Sequence, residues 1–367
     1  MARIVRQNRH SPQWRRPVAL VSFSLVALLL TGTTSFAFTT PTASQGIVHG
    51  TNKKNIRLTA LDGKAEIPGP TRNADKLICS FDETDFSGRT SWPYTAADLN
   101  RLDNTDDSKF YDSPRMVTHI DDMAIESLTE FYKNTFEELA EQSDEEATKK
   151  TIDILDLCSS WVSHLPVVDA TSSFQYGNVV GLGMNQEELN ANPQLTSSIL
   201  QNLNIDPKLS SLDDESFDVV AMTVSIDYLI KPLEVIQEIK RVLKPNGVAL
   251  ISFGDRCFPT KAVAMWLQAD PIDRITIVAS YFHYAQYDQE ANKEGGDDSN
   301  DGKDEVLYKW KSIDAYDLKD EPQEAPPKPS MGEIMSNPAL GFAWMNTASA
   351  VQKANNCDPL FVIKASK

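Results

Sequence analysis

The chain has 367 residues, 41% hydrophobic and 24% charged, enough apolar material for one substantial core with appendages or for two small domains. Its formal net charge of -17 argues against a general nucleic-acid or anionic-membrane binder, because phosphate surfaces reward clustered Lys and Arg. A small-molecule or protein partner is the expectation.

The N-terminus is the exception to the acidic balance. Arg3, Arg6, Arg9, Arg15 and Arg16 precede an apolar run over residues 18–30 that is short for a bilayer span, and small residues follow it up to Ala37. This pattern predicts a signal peptide over 1–37, with a short signal anchor as the alternative and no stable membrane span after processing. Residues 38–75 are rich in Thr, Ser, Ala and Lys and lack acids until Asp62, as transit-type leaders do. The order resembles the bipartite presequence of algae whose plastids have extra membranes, carried here by Ser35-Phe-Ala-Phe-Thr-Thr-Pro41. That resemblance implies the plastid stroma, with secretion as the alternative.

Residues 76–109 mix Pro, Gly, Asp, Thr and Ser without sustained periodicity and are expected to be irregular. Order is expected from Phe110, first as a turn-rich entry and then as an amphipathic helix over 119–139, where Ile120, Ala124, Leu128, Phe131 and Phe136 recur at helical spacing. Apolar, β-rich runs at 151–157, 178–182, 197–200, 217–224 and 248–253 predict strands. Between the last two, Pro232 opens a helix striped by Leu233, Ile236, Ile239 and Leu243, and Lys244-Pro-Asn-Gly247 ends it. Strands apolar on both faces and alternating with helices predict an α/β fold, a doubly wound, mainly parallel sheet with helices on both faces. Residues 110–287 would form this domain. Residues 288–357, acidic to 304 and Pro-rich over 321–329, would be an insertion, and 358–367 a returning final strand. Cys79, Cys158, Cys257 and Cys357 are too scattered to suggest zinc or a disulfide framework.

In such a sheet a ligand binds at the carboxyl ends of the strands, near the switch in strand order. The loops after Leu157, Leu182 and Leu200 should therefore meet. The segments Asp214-Glu-Ser-Phe-Asp-Val-Val220, Tyr228-Leu-Ile-Lys-Pro-Leu233 and Gln237-Glu-Ile-Lys-Arg-Val-Leu-Lys-Pro-Asn-Gly-Val248 resemble class I S-adenosylmethionine-dependent methyltransferases of the type 11 group. Leu155-Asp-Leu-Cys-Ser-Ser-Trp-Val-Ser-His-Leu-Pro166, with Phe110-Tyr-Asp-Ser-Pro-Arg115 and Ser280-Tyr-Phe-His-Tyr-Ala285, is similar to a plant and algal group of methyltransferase-like proteins of undefined substrate. The resemblance implies a Rossmann-like methyltransferase fold, S-adenosylmethionine as cofactor, and a small-molecule or protein acceptor.

This chain departs from the family at the cofactor positions. The family has glycines second, fourth and sixth after an acid; here Asp156 is followed by Cys158, Ser160 and Val162. Glycine there permits positive φ and close approach, which Cys, Ser and Val resist. Gly183 stands where a ribose-binding acid is usual, and Asn202 is the nearest match to the adenine-side Asp. Two readings stay open. In one, Ser159 and Ser160 hydroxyls serve the methionine carboxylate, Asn185 or Glu187 the ribose and Asn202 the adenine, with Asp156, Cys158, Gly181 and Gly183 shaping the site. In the other, the fold survives as a catalytically degenerate binding or assembly module. His164, Asp227, Tyr228 and His283 are the weak catalytic candidates, His119 lies in a resembling segment, and Trp161 either stacks on a ligand or packs at a helix start. The oligomeric state is not encoded legibly.

Overall fold

The computed structural model describes residues 76–86, 91–142, 149–287, 309–319 and 322–367. The expected presequence and the acidic run at 288–304 lie outside these described residues. In chain order the elements are β1 (Lys76–Ser80), α1 (Asp107–Phe110), α2 (Asp122–Glu141), β2 (Lys150–Leu157), β3 (Phe174–Gly183), α3 (Gln186–Ala191), β4 (Ser197–Leu200) and β5 (Phe217–Thr223). There follow α4 (Pro232–Val242), β6 (Leu243–Gly254), α5 (Ala264–Gln268), α6 (Pro271–Tyr284), β7 (Ser312–Asp317), α7 (Met331–Ser336), α8 (Pro338–Asn355) and β8 (Leu360–Ser366).

The strands form an 8-stranded sheet in the order β1-β7-β8-β6-β5-β2-β3-β4. From β6 to β4 all neighbours are parallel, whereas β8 pairs antiparallel with both β6 and β7, and β7 antiparallel with β1. This is the doubly wound, mainly parallel α/β sheet that the alternation of elements predicts, and it agrees with the Rossmann-like fold that the family resemblance implies. The chain runs outward through β2, β3 and β4, then returns to lay β5 on the other side of β2. The switch in strand order therefore falls between β2 and β5, where Leu157 is in register with Met222.

Both faces of the sheet are covered. On one, Leu128, Phe131 and Phe136 of α2 pack against Ile152, Ile154, Val179, Val219 and Leu250. On the other, Ile236 and Ile239 of α4 and Val278 and Phe282 of α6 pack against Leu155, Val220, Met222 and Ile251. Each fully buried Leu, Ile or Phe contributes roughly 1.5–3 kcal/mol by leaving water. The start of α2 is also tied to β8: the Asp121 side chain caps Ala124, accepts the Asp358 backbone N–H at 2.6 Å, and Asp358 accepts that of Asp121 at 3.0 Å.

The structure corrects the sequence reading in three places. Residues 76–109 are not wholly irregular, because β1 closes the sheet edge beside β7. The expected insertion over 288–357 contains β7, a full member of the sheet, together with α7 and α8. The crossover from β2 to β3, residues 158–173, carries no helix, so Trp161 does not sit at a helix start. Among the described residues no helix is long and apolar enough to cross a membrane.

Candidate functional site

The carboxyl ends of β2, β3, β4 and β5 open into a cavity of about 370 Å³, roofed by residues 101–120 and walled on one side by residues 256–261. The loop after β2 enters it with Cys158 at φ 55°, a left-handed backbone held by a residue that has a side chain. His164 (φ 53°) and Val224 (φ 41°) also line the cavity. Left-handed backbone in a β-branched residue is strained, and such strain persists only where the surroundings impose it.

The loop is pinned through its hydroxyls. Asp156 is buried at the end of β2 and accepts hydrogen bonds from Ser159 Oγ at 2.6 Å and Ser163 Oγ at 2.7 Å. Burial pushes its carboxyl up to about 6, although both hydroxyls pull the other way. The Ser159 backbone N–H donates to the Leu182 carbonyl at 2.8 Å, which seats the loop on β3. A Cβ at Gly183 would come closer than 3.0 Å to the Ser159 carbonyl oxygen, a separation real Cβ atoms essentially never show. No larger residue fits at the end of β3 while the loop takes this course.

Glu188, buried in α3, accepts from Ser160 Oγ at 2.5 Å and from the Arg115 backbone N–H at 2.7 Å. It thus joins the loop after β2 to the roof. Asn185 caps α3 by accepting from the backbone N–H groups of Glu187 and Glu188, and its Nδ2 donates to the carbonyls of Tyr111 and Asp112. After β4, Asn202 Oδ1 accepts the Asn204 backbone N–H at 2.9 Å, which fixes the amide orientation. Its Nδ2 is buried without a partner. Asn204 bridges Asp107 and the Tyr228 carbonyl, tying the roof to the loop after β5.

The roof carries buried charge. Arg101 Nη1 meets both oxygens of Asp107 at 2.9 Å, and Lys261 Nζ lies 3.1 Å from Asp107 and 3.1 Å from Asp103. Arg115 stacks over Phe110 at 4.4 Å and lies 5.5 Å from the rings of Tyr111 and Phe258. Arg101, Arg115, Lys261 and Arg256 face only Asp107, Asp156 and Glu188 as acids in the lining, the reverse of the chain's overall balance.

The predicted residues divide between the cavity and its surroundings. Asp156, Cys158, Ser159, Ser160, Gly183, Asn185, Asn202, His164 and Tyr228 line it, as do His119 and Trp161. Gly181, Asp227 and His283 do not. Gly181 packs on Leu195 inside the sheet. Asp227 is buried behind the wall with Oδ2 unpartnered, and burial pushes its carboxyl up to about 8. His283 is buried against the Phe86 ring at 4.4 Å. Glu187 is exposed and outside the lining.

Two of the expected ligand-binding roles are corrected by hydrogen bonds already made, and two of the catalytic candidates by burial. The hydroxyl hydrogens of Ser159 and Ser160 go to Asp156 and Glu188 and are not available to a ligand carboxylate. The Asn185 amide is spent on the α3 cap and the roof. His164 is held down to about 4, by burial first and the charge of His119 second, and Tyr228 accepts the Phe258 backbone N–H at 2.9 Å while burial pushes its phenol well above the usual range. The sequence reading missed Arg101, Asp107, Arg115, Glu188, Asn204 and Lys261. Only Arg115 lay in a segment singled out beforehand, because charges scattered along the chain show no spacing until the roof folds over the sheet.

A family model described as a methyltransferase domain matches residues 164–251, from the end of the loop after β2 into β6. The match leaves out β2 and residues 158–163 of the loop that follows it. No curated protein matches the chain. Among solved structures, a methyltransferase from Archaeoglobus fulgidus described as S-adenosylmethionine-dependent is 12% identical, over 65% of this chain and 94% of its own, with a TM-score of 0.34. A counterpart from Mesorhizobium loti, described in the same terms, is 10% identical over 64% of this chain and 98% of its own, at 0.30. At these scores they add nothing to the strand order.

Proposed function

We propose that the chain is an S-adenosylmethionine-dependent methyltransferase that binds its cofactor in this cavity and methylates a small molecule or a protein. The observation that carries the reading is the position of the cavity: it lies at the carboxyl ends of the strands flanking the switch point, and part of its lining, from His164 to Leu229, belongs to the segment matching a methyltransferase domain. S-adenosylmethionine is the cofactor of the family this segment resembles, and it supplies an electrophilic methyl group on a sulfonium.

The residues present fit such a group in part. The cavity volume falls within the range of about 300–1,000 Å³ typical of small-molecule sites. Asn202 Nδ2, a buried donor without a partner, suits a ring nitrogen of adenine rather than its amine, which is itself a donor. Gly183 offers the ribose no carboxylate, which forgoes on the order of 1.5–3 kcal/mol, tenfold or more in affinity. Displacement at a sulfonium gains much of its acceleration from alignment and needs a base only when the acceptor starts protonated. His164 is neutral at pH 7 and a weak base, and the Tyr228 phenol stays protonated. The lining therefore orients an acceptor that is already nucleophilic.

The occupied hydroxyls and the blocked position at Gly183 favour one rival, a degenerate binding module of the same fold. Calorimetry with S-adenosylmethionine and S-adenosylhomocysteine separates the two. Binding that weakens about tenfold in Asn202→Ala supports the enzyme reading, and no heat at millimolar cofactor removes it. The pattern of residues 1–75 supports delivery to the plastid stroma. A reporter fused after Thr71 tests this, and signal confined to the secretory pathway would overturn it.

A further inference from the structure

Resting on that cofactor reading, we infer that Arg115 is the residue that holds the methionine carboxylate, in place of the donors a glycine loop would present. The loop after β2 has no hydroxyl hydrogen to offer, since Ser159 donates to Asp156 and Ser160 to Glu188. A carboxylate placed against this loop without a compensating donor would be desolvated and unpaired, which is costly in a recess of low dielectric. The loop itself, residues 156–164, carries no Lys or Arg, so a compensating cation has to come from elsewhere in the lining.

Arg115 meets that need by position. Glu188 accepts the Arg115 backbone N–H at 2.7 Å and the Ser160 hydroxyl at 2.5 Å, so one carboxylate spans the distance between the Arg115 main chain and the loop. Asn185 anchors the same roof segment through the carbonyls of Tyr111 and Asp112. Arg115 is thereby held against the cavity end where the first strand of a nucleoside-binding sheet delivers its loop.

Its guanidinium is also uncommitted. Arg115 makes no ion pair among the described residues; Nη2 donates to the Phe110 carbonyl at 2.8 Å, and Nη1 is buried without a partner. Arg101 and Lys261, by contrast, are already matched with Asp107 and Asp103. The rings of Phe110, Tyr111 and Phe258 surround the Arg115 guanidinium and fix its plane, which reduces the rotamer freedom lost on binding. A planar guanidinium with a spare donor matches a carboxylate better than an ammonium would.

The test compares two probes that differ in the amino-acid moiety: S-adenosylhomocysteine, which carries the carboxylate, and 5′-methylthioadenosine, which does not. Calorimetry is run on the full chain, unaltered and as Arg115→Gln and Arg115→Lys, with melting curves to confirm folding. Arg115→Gln is expected to weaken S-adenosylhomocysteine by roughly tenfold to a hundredfold, to leave 5′-methylthioadenosine within about twofold, and to be partly rescued by Arg115→Lys. Equal weakening of both probes, or of neither, overturns the assignment while leaving the cofactor reading in place. If neither probe binds the unaltered chain, the cofactor reading fails and this assignment with it.

Discussion

The carbonyl oxygen of Ser159 occupies the space that a Cβ on Gly183 would need. The course of the loop after β2 and the glycine at the end of β3 are thus one steric arrangement, in which the loop backbone packs directly on the strand backbone.

Placing an acid at this position should therefore fail. Gly183→Asp is expected to cost about 1–3 kcal/mol through overpacking and to lower the melting temperature by several degrees, with no gain in S-adenosylhomocysteine affinity. A stable variant that binds more tightly would show that the loop yields easily.

Cys158 sits at φ 55° and its thiol is pushed up to about 12, chiefly by burial. Cys158→Val should cost about 1–2 kcal/mol, because left-handed backbone penalises a β-branched side chain, whereas Cys158→Gly should be close to neutral. The thiol should also react with iodoacetamide much more slowly at pH 8 than a free cysteine does. Chemical denaturation and mass spectrometry read the two effects.

The buried Asp227 carboxyl is raised from its ordinary value of 3.8 to about 8. The folded state then keeps a proton that the unfolded chain has lost, so stability is greatest near pH 4 and falls as pH rises to about 8, above which this contribution is flat. Asp156, raised to about 6, adds a fall over pH 4 to 6. Asp227→Asn should raise stability at pH 8 by on the order of a few kcal/mol and flatten its pH dependence between 6 and 8. An unchanged slope in melting temperature against pH would count against this account.

Asp107 neutralises two buried cations, Arg101 and Lys261. Asp107→Asn should cost about 3–5 kcal/mol, since it leaves buried charge uncompensated, and should open residues 101–110 to proteolysis. Asp214→Asn provides the contrast: its pair with Arg241 is largely exposed and should be worth less than about 1 kcal/mol. Urea titration of both variants checks the difference.

Much of the sheet was legible along the chain. The runs that became β2, β3, β5 and β6 are buried on both faces, so local apolarity alone marked them, and Pro232 marked the start of α4; the helix ends at Val242, and Leu243, expected in its stripe, opens β6 together with Lys244-Pro-Asn-Gly247 because the backbone turns extended there. β1 and β7 escaped notice because β1, the edge strand, is mostly exposed and β7 beside it only alternates, and their identity as strands comes from pairing with each other and with β8. By itself the sequence determined the fold class, the sheet edge where a ligand belongs and the absence of glycine after Asp156. Only the tertiary structure decided that Ser159 and Ser160 are already engaged, that Asp227 and His283 do not line the cavity, and that Arg115 arrives there without an ion-pair partner among the described residues. Burial on both faces of a strand leaves a local mark in the sequence, whereas the partner of a hydroxyl or a guanidinium depends on which distant segment folds over it.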